Sequence, residues 1–449
     1  MKTKTDGGEM PSASVPETAK QACKTRDPRE WTWVEPSVWT ERMLAALGNG
    51  VKGGKWYSLW DKVCDRGTLV ASWEGVARNQ GAAGVDGVSI KRFAAHAERY
   101  LDELEAELQA GRYRPSAVRR TTIPKPGGGK RPLGIPTVKD RIVQGALKRV
   151  LEPIFEWEFR PESYGFRPGR GAKDALREVD AALKAGYHWV VDADLKGYFD
   201  SLPHDALMDE VQARISDGGV LALLDAYLKA DILDGLEQWT PTGGTPQGAV
   251  ISPLLANLYL HGLDCEMSER GYHIVRYADD FVILCRDETE AQTALREVQT
   301  WCQGRRLTLH PDKTHIDDCR QRGEGFEFLG YRFEGGRRWV RKTSRHALKD
   351  KIRAKTRRNH GNSLPAIIAD LNPMLRGWFG YFKHAYRTEF PSIDGFVRRR
   401  LRAILRRHQH RESRLGHSRQ DHRRWTNAFF AAHGLFTMTT AHALASQSR

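Results

Sequence analysis

Apolar positions repeat along this chain with two different periods, and the change between them divides it. From about residue 111 to 340, short runs rich in Val, Ile, Phe and Tyr read as strands: RRTTIP (119–124), HWVVDADL (188–195), HIVRYA (273–278), DFVILC (280–285) and FEFLGYRF (326–333). Helical segments such as DRIVQGALKRVLEPIFEWEF (140–159) lie between them. After about residue 340 only the helical period remains. In LNPMLRGWFGYF (371–382) the residues Leu371, Met374, Leu375, Trp378, Phe379 and Phe382 fall on one face, and Gly377 and Gly380 are expected to let a neighbour approach closely. Val397, Leu401, Ile404 and Leu405 repeat that pattern, with arginine on the other face. Ahead of the mixed region, 38–63 alternates short amphipathic pieces with Gly breaks, NQGAAGVDGVSI (79–90) is a Gly-rich loop, and a helix is expected after it. Residues 1–37 are polar and expected to be a disordered tail. No internal repeat is evident.

Charge sharpens this picture. The 449 residues carry a formal net charge of +15, an excess that suits a polyanionic partner. Between Val397 and Arg424 eleven Arg stand against only Glu412 and Asp421, so more than half of the net charge sits in one short stretch. A solvated helix face is the plain reading, but a face so one-signed repels itself, and a nucleic-acid-binding surface accounts for it better. The six cysteines form no CxxC pair and no zinc-finger spacing with His, which argues against zinc sites and disulfide frameworks. No secretory h-region or run of about 18 apolar residues occurs. The expectation is a cytoplasmic, nucleic-acid-associated protein without a membrane partner.

The chemistry sits where acids interrupt strands. Asp279 and Asp280 separate two apolar runs, and a buried unpaired carboxylate costs several kcal/mol. They are either a solvated hairpin turn or the holders of a cation. A second strand, Trp189–Val191, ends in Asp192, Asp194 and Asp200, with Asp192 and Asp194 on one face by alternation. Were the two strands paired, carboxylates would converge at one sheet edge. Oxygen ligands of this kind suit Mg²⁺, and two such ions about 3.5–4 Å apart support phosphoryl transfer.

Tyr277-Ala278-Asp279-Asp280 resembles the YxDD signature of reverse transcriptases, and DADLKGYFD (192–200) their first aspartate motif. IPKPGGGKRPLGIPTVKDRIVQGAL (123–147), SYGFRPGR (163–170), GTPQGAVISPLLANLYL (244–260), LHPDKTHI (309–316) and FEFLGYRF are similar to successive blocks of group II intron-encoded reverse transcriptase/maturases. NQGAAGVDGVS matches the block preceding their fingers, and LRGWFGYFKH (375–384) their maturase, or thumb, motif. The resemblance spans about residues 38–436. It implies an α+β right-hand polymerase: a helical extension (38–110), fingers and an antiparallel palm sheet with flanking helices (111–340), a helical thumb/maturase domain (341–425) and a short C-terminal tail (426–449). The activity implied is RNA-directed DNA polymerisation with intron RNA binding, splicing assistance and intron mobility through cDNA synthesis. The implied partners are group II intron RNA, an RNA template, a DNA primer or target, and dNTPs.

Residue by residue, the resemblance assigns Asp194, Asp279 and Asp280 to catalysis. With the Leu195 backbone carbonyl they would hold two Mg²⁺ ions, for which Mn²⁺ is a substitute. Asp192 competes with Asp194 on the same strand face. Phe199 matches the steric gate against a 2′-hydroxyl, a core aromatic being the alternative. Tyr198, Arg119, Lys125 and Gln247 stand where the nucleotide is bound. Lys313 lies where a general acid can serve pyrophosphate, or is a plain surface lysine. His204 reads as a structural helix-start residue. Arg167 and Arg170 are expected at the template, and Arg376, Arg398, Arg399, Arg402, Arg406 and Arg407 at RNA.

Two departures from the family pattern, Ala249 after Gln-Gly and Pro203 in SLPH, leave these assignments standing. Two other readings remain: a related enzyme used outside an intron, in defence or diversity generation, and an RNA-binding splicing cofactor with vestigial polymerisation. QGAVISP speaks against the diversity-generating type, and the complete acid set against the vestigial one. The 25 residues after Arg424 hold no Cys/His cluster, so second-strand cleavage by this chain is not expected.

Overall fold

The computed structural model describes residues 31–124, 128–357, 361–409 and 418–447. Its strands are β1 (Val118–Pro124), β2 (Lys130–Ile135), β3 (Trp189–Asp194), β4 (Ile232–Asp234), β5 (Glu237–Trp239), β6 (His273–Tyr277), β7 (Asp280–Cys285), β8 (His315–Asp318), β9 (Phe326–Phe328), β10 (Tyr331–Glu334) and β11 (Arg337–Val340). They make three sheets, ordered β2-β1-β4-β5, β6-β7-β3-β8 and β11-β10-β9. The second is antiparallel throughout and forms the palm. The first is mixed, because β4 runs parallel to β1.

Both faces of the palm sheet are covered, which explains why its strands read as nearly unbroken apolar runs. Val191, Ala193, Ile274, Phe281 and Ile283 join one core with the N-terminal helices and helices Val138–Glu158 and Ser252–Glu269. Val190, Val275, Val282 and Leu284 join a second core with the β9–β11 sheet and the C-terminal helices. Helix Arg66–Asn79 packs on Val138–Glu158. The helix expected across 90–111 divides into Ile90–Ala94 and Ala97–Gln109. FEFLGYRF is two strands joined at Leu329 and Gly330, both at positive φ.

Three helices, Lys342–Lys355, Leu364–Phe382 and Glu389–His408, build the region after the palm. Leu371, Leu375, Phe379 and Phe382 are buried as the periodicity predicts, with Met374 and Trp378 partly covered. Gly377 and Gly380 behave differently from expectation: a Cβ at either would meet nothing, so neither admits a close neighbour. At the chain ends the packing reaches further than polarity suggested. Trp31, Trp33 and Val34 lie on the first core, ahead of the boundary drawn at residue 37. Helices Asn427–Ala432 and Met438–Gln447 dock through Phe430 and Met438, and Asp394 accepts from the backbone N–H groups of Met438 (3.0 Å) and Thr439 (2.9 Å). Residues 1–30 fall outside the described residues.

Candidate active site

Strands β6 and β7 are joined by Ala278 and Asp279 alone, and Ala278 takes a left-handed conformation at φ +61°. That conformation is unfavourable for a non-Gly residue unless its surroundings fix it. Arg276, fully buried, does so. Its guanidinium donates to both Asp264 oxygens (2.7 and 2.5 Å), to Asn257 Oδ1 (3.0 Å) and to the Ala278 carbonyl (2.9 Å). The SYGF loop presses on the same turn. Tyr164 N–H donates to the Arg276 carbonyl (2.9 Å), and Asn257 Nδ2 donates to the Gly165 carbonyl (2.7 Å). A Cβ on Gly165 would overlap the Ala278 backbone nitrogen. Glycine is required there by close approach.

Asp194 is the cross-strand partner of Asp280, so their side chains share a face with Asp192. Asp279 sits in the turn itself. The Asp194 carboxylate is bonded by Lys313 Nζ, while its backbone carbonyl accepts from His310 N–H (2.8 Å). Asp192 faces His315 at 3.7 Å. Burial pushes the Asp280 carboxyl up to about 8, and the charges of Asp192, Asp194 and Asp279 add to it. Burial likewise raises Asp279, with Asp194 contributing and Arg131 and Lys313 opposing. Burial takes Asp192 to about 7. Desolvated, mutually repelling carboxylates are a donor set that a hard divalent cation suits. Among the described residues no three His, Cys, Asp or Glu close into a ready cage. Backbone bonds from Lys196 and His310 flank Leu195, and its carbonyl takes part in neither.

The expected nucleotide contacts separate. Phe199, 8 % exposed, stands edge-on to Phe166 with centroids 6.5 Å apart. Gln247 accepts from Arg131 Nε (2.7 Å) and donates to Asp200 (3.3 Å). Tyr198 does not join them: it is buried, and its hydroxyl donates to the Ala256 carbonyl (2.6 Å), so a nucleotide-contact role is withdrawn in favour of a core one. Arg119 is turned to the Ala83 carbonyl (3.1 and 2.5 Å) and ties the Gly-rich loop to β1. Lys125 lies outside the described residues. His204 begins its helix and faces the Gly244 carbonyl at 2.7 Å, as its structural reading expects.

Two residues in the site were missed by sequence reasoning. Arg131 is exposed, touches Gln247 and acts on Asp279. Its signal was the basic KR after the glycines of the fingers hairpin. Phe166 is half exposed at φ +58° beside Phe199, and no sequence pattern announces that conformation.

The arginines also divide. Arg167 is buried, paired with Glu156 (2.6 Å) and bonded to the Ser163 carbonyl (2.8 Å), so it holds its loop instead of a template. Arg170 donates to the Pro161 carbonyl (2.7 Å) and lies over Tyr164. Arg402 is buried and donates to the Trp425 carbonyl (2.9 Å); Arg406 pairs with Asp421 (2.6 Å). These two serve the fold, and the RNA-contact role is corrected for both. Arg376 and Arg407 are exposed. Arg398 and Arg399 line a cavity of about 480 Å³ with Lys349, Arg402 and His422. Among the described residues no helix is long and apolar enough to cross a membrane.

Comparison with known proteins follows this division. Residues 123–333 match the family described as Reverse transcriptase (RNA-dependent DNA polymerase), and residues 345–425 the Group II intron, maturase-specific domain. Protein YkfC of Escherichia coli is 36 % identical over 331 residues, 64 % of this chain and 84 % of that protein. The group II intron-encoded protein LtrA of Lactococcus lactis is 37 % identical over 194 residues, 43 % of this chain but only 32 % of LtrA. An uncharacterized 91 kDa protein in the cob intron of Schizosaccharomyces pombe is 40 % identical over 164 residues, 36 % of this chain and 20 % of that protein. Reverse transcriptase domains use divalent metal ions such as Mg²⁺, and both domains imply nucleic-acid partners. With a polymerase palm followed in one chain by a maturase domain, this protein belongs to the group II intron-type reverse transcriptase/maturases, the RNA-directed DNA polymerases with a maturase-specific domain.

Proposed function

We propose that the chain copies RNA into DNA at Asp194, Asp279 and Asp280, and that its basic C-terminal helices hold the RNA of a group II intron during splicing and mobility. The observation that carries the first part is the pairing of Asp194 with Asp280 beside a turn held by the buried Arg276. Asp194 and Asp279 would hold two Mg²⁺ ions, which when bound supply charge neutralisation and alignment for attack of a primer 3′-oxygen on the α-phosphate. Asp280, raised more strongly, is the lesser ligand and sets the charge balance. Phe199 closes the space where a 2′-hydroxyl would stand. Gln247, oriented by Arg131 and Asp200, donates to the nucleotide, and Arg131 meets the triphosphate. Lys313, already in contact with Asp194, would give a proton to departing pyrophosphate.

Primer extension on an RNA template with Mg²⁺ tests the reading. Extension by the wild type and its abolition by Asp194→Ala are expected, and no extension on any RNA template would overturn it. Excision of the cognate intron by Asp279→Ala separates maturase from polymerase action.

A further inference from the structure

The fingers carry a feature that the catalytic reading does not use. Strands β4 and β5 form a hairpin that sequence periodicity did not reveal, paired Ile232↔Trp239 and Asp234↔Glu237. Two side-chain bonds to Asp231, from Gln238 (2.7 Å) and Thr240 (2.5 Å), fasten its outgoing strand. The hairpin holds Trp239 with 36 % of its surface exposed, at the edge strand of the sheet. Arg120 of β1 lies over that indole at 5.5 Å and is steadied by Asp234 at 3.5 Å.

Between this hairpin, β2 and the loop 240–247 lies a cavity of about 330 Å³. Arg120, Trp239, Thr245, Asp200 and Gln247 are among its walls, so it adjoins the catalytic cleft through the Gln247–Asp200 contact. Its position relative to that cleft is rigid. Thr245 N–H donates to the Phe199 carbonyl (2.6 Å), Gly244 N–H to the Leu202 carbonyl (2.7 Å), and Gly134 N–H to the Gln247 carbonyl (2.7 Å).

The lining discriminates between ligands. A triphosphate needs several converging cations, whereas the one arginine among the described residues of this wall is engaged by Asp234 and by the indole. A flat aromatic surface and a stacked guanidinium suit an unpaired nucleobase. Given the polymerase reading, on which this rests, one strand must reach the cleft unpaired, and that is the RNA template ahead of the base being copied.

We propose that the Trp239–Arg120 cavity seats the RNA template base immediately ahead of the one being copied, stacked on Trp239, and so holds the template straight for the next addition.

The test uses the full chain and a primer–RNA duplex with 2-aminopurine at the template position immediately ahead of the base to be copied. Wild type and Asp279→Ala should both quench its fluorescence on binding, Trp239→Ala should not, and Trp239→Phe should retain most of the effect. In primer extension, Trp239→Ala should raise KM for an overhanging template roughly tenfold, the factor that stacking one base supplies. A template ending at the copied base should keep its wild-type KM in the same variant. Arg120→Ala should repeat the pattern more weakly. Quenching that survives Trp239→Ala, or a KM raised equally for both templates, overturns the proposal. Quenching with no extension by the wild type would sink the polymerase reading while upholding the nucleobase site.

Discussion

The catalytic turn and the arginine-rich helix Glu389–His408 both crowd charges of one sign, and they resolve the crowding in opposite ways. At the turn, burial and mutual repulsion raise the carboxyls of both Asp279 and Asp280, and the cations that oppose this act on them from a distance. On the helix, several arginines are answered from within. Arg402 has the Trp425 carbonyl, Arg406 has Asp421, and Arg400 has Thr356. Arg398 and Arg399 line a cavity wall, Arg399 lying over the Phe396 ring at 5.1 Å, and Arg407 is exposed. Charge density in a sequence therefore marks two different things: a site awaiting counter-ions where carboxylates crowd together, and a scaffold where arginines find carbonyls.

The largest effect expected separates the two regions. Asp279→Ala should lower primer extension by about 10³-fold or more, since the ions supply several kcal/mol of transition-state stabilisation. RNA affinity measured by filter binding should change less than about twofold. Gly165→Ala comes next. Its Cβ would drive into the Ala278 backbone, and displacing the turn should cut kcat by about ten- to a hundredfold with KM for nucleotide little altered. A kcat within twofold of wild type would refute the close packing of loop and turn.

On the helix the contrast lies between neighbouring arginines. Arg402→Met should cost about 2–4 kcal/mol of stability, because buried carbonyl partners lose their donor, and this is read as a lowered denaturation midpoint. Arg398→Ala with Arg399→Ala should cost less stability than Arg402→Met, since both are only partly buried. It should instead weaken RNA binding and reduce the salt slope by about 0.7 for each phosphate that is no longer neutralised.

A last expected effect is on pH dependence. With the folded Asp280 carboxyl at about 8 and Asp192 at about 7, against an ordinary 3.8 for each, the native state binds more protons than the unfolded one across that window. Stability in EDTA should therefore fall as pH rises from about 4 to 8. Asp280→Asn should flatten the curve, and Mg²⁺ should flatten it in the wild type. A rise in stability over that range would contradict the placement of the acids.

How much was legible follows from where the information lies. Strands β3, β6 and β7 could be read because sheets covered on both faces demand unbroken apolar runs, and Asp194, Asp279 and Asp280 stood out as the acids interrupting them. The face Leu371–Phe382 was legible for the same reason: burial imposes its period on the sequence. The short strands β4 and β5 escaped, being three residues each with mostly exposed side chains. Where Tyr198, Arg119, Arg167 and Arg402 point was not legible, because residue type gives a side chain's chemistry and not its direction.

Hydrophobic period, the order of the motifs and the placing of acids along strands were thus set by the sequence alone, since each is a local demand of backbone geometry and burial. Which arginines are engaged inside the fold, which glycine must remain one, how Arg276 fixes a left-handed alanine and where Trp239 meets Arg120 were decided only in three dimensions. Those outcomes depend on contacts between residues far apart in the chain, and no local pattern encodes them.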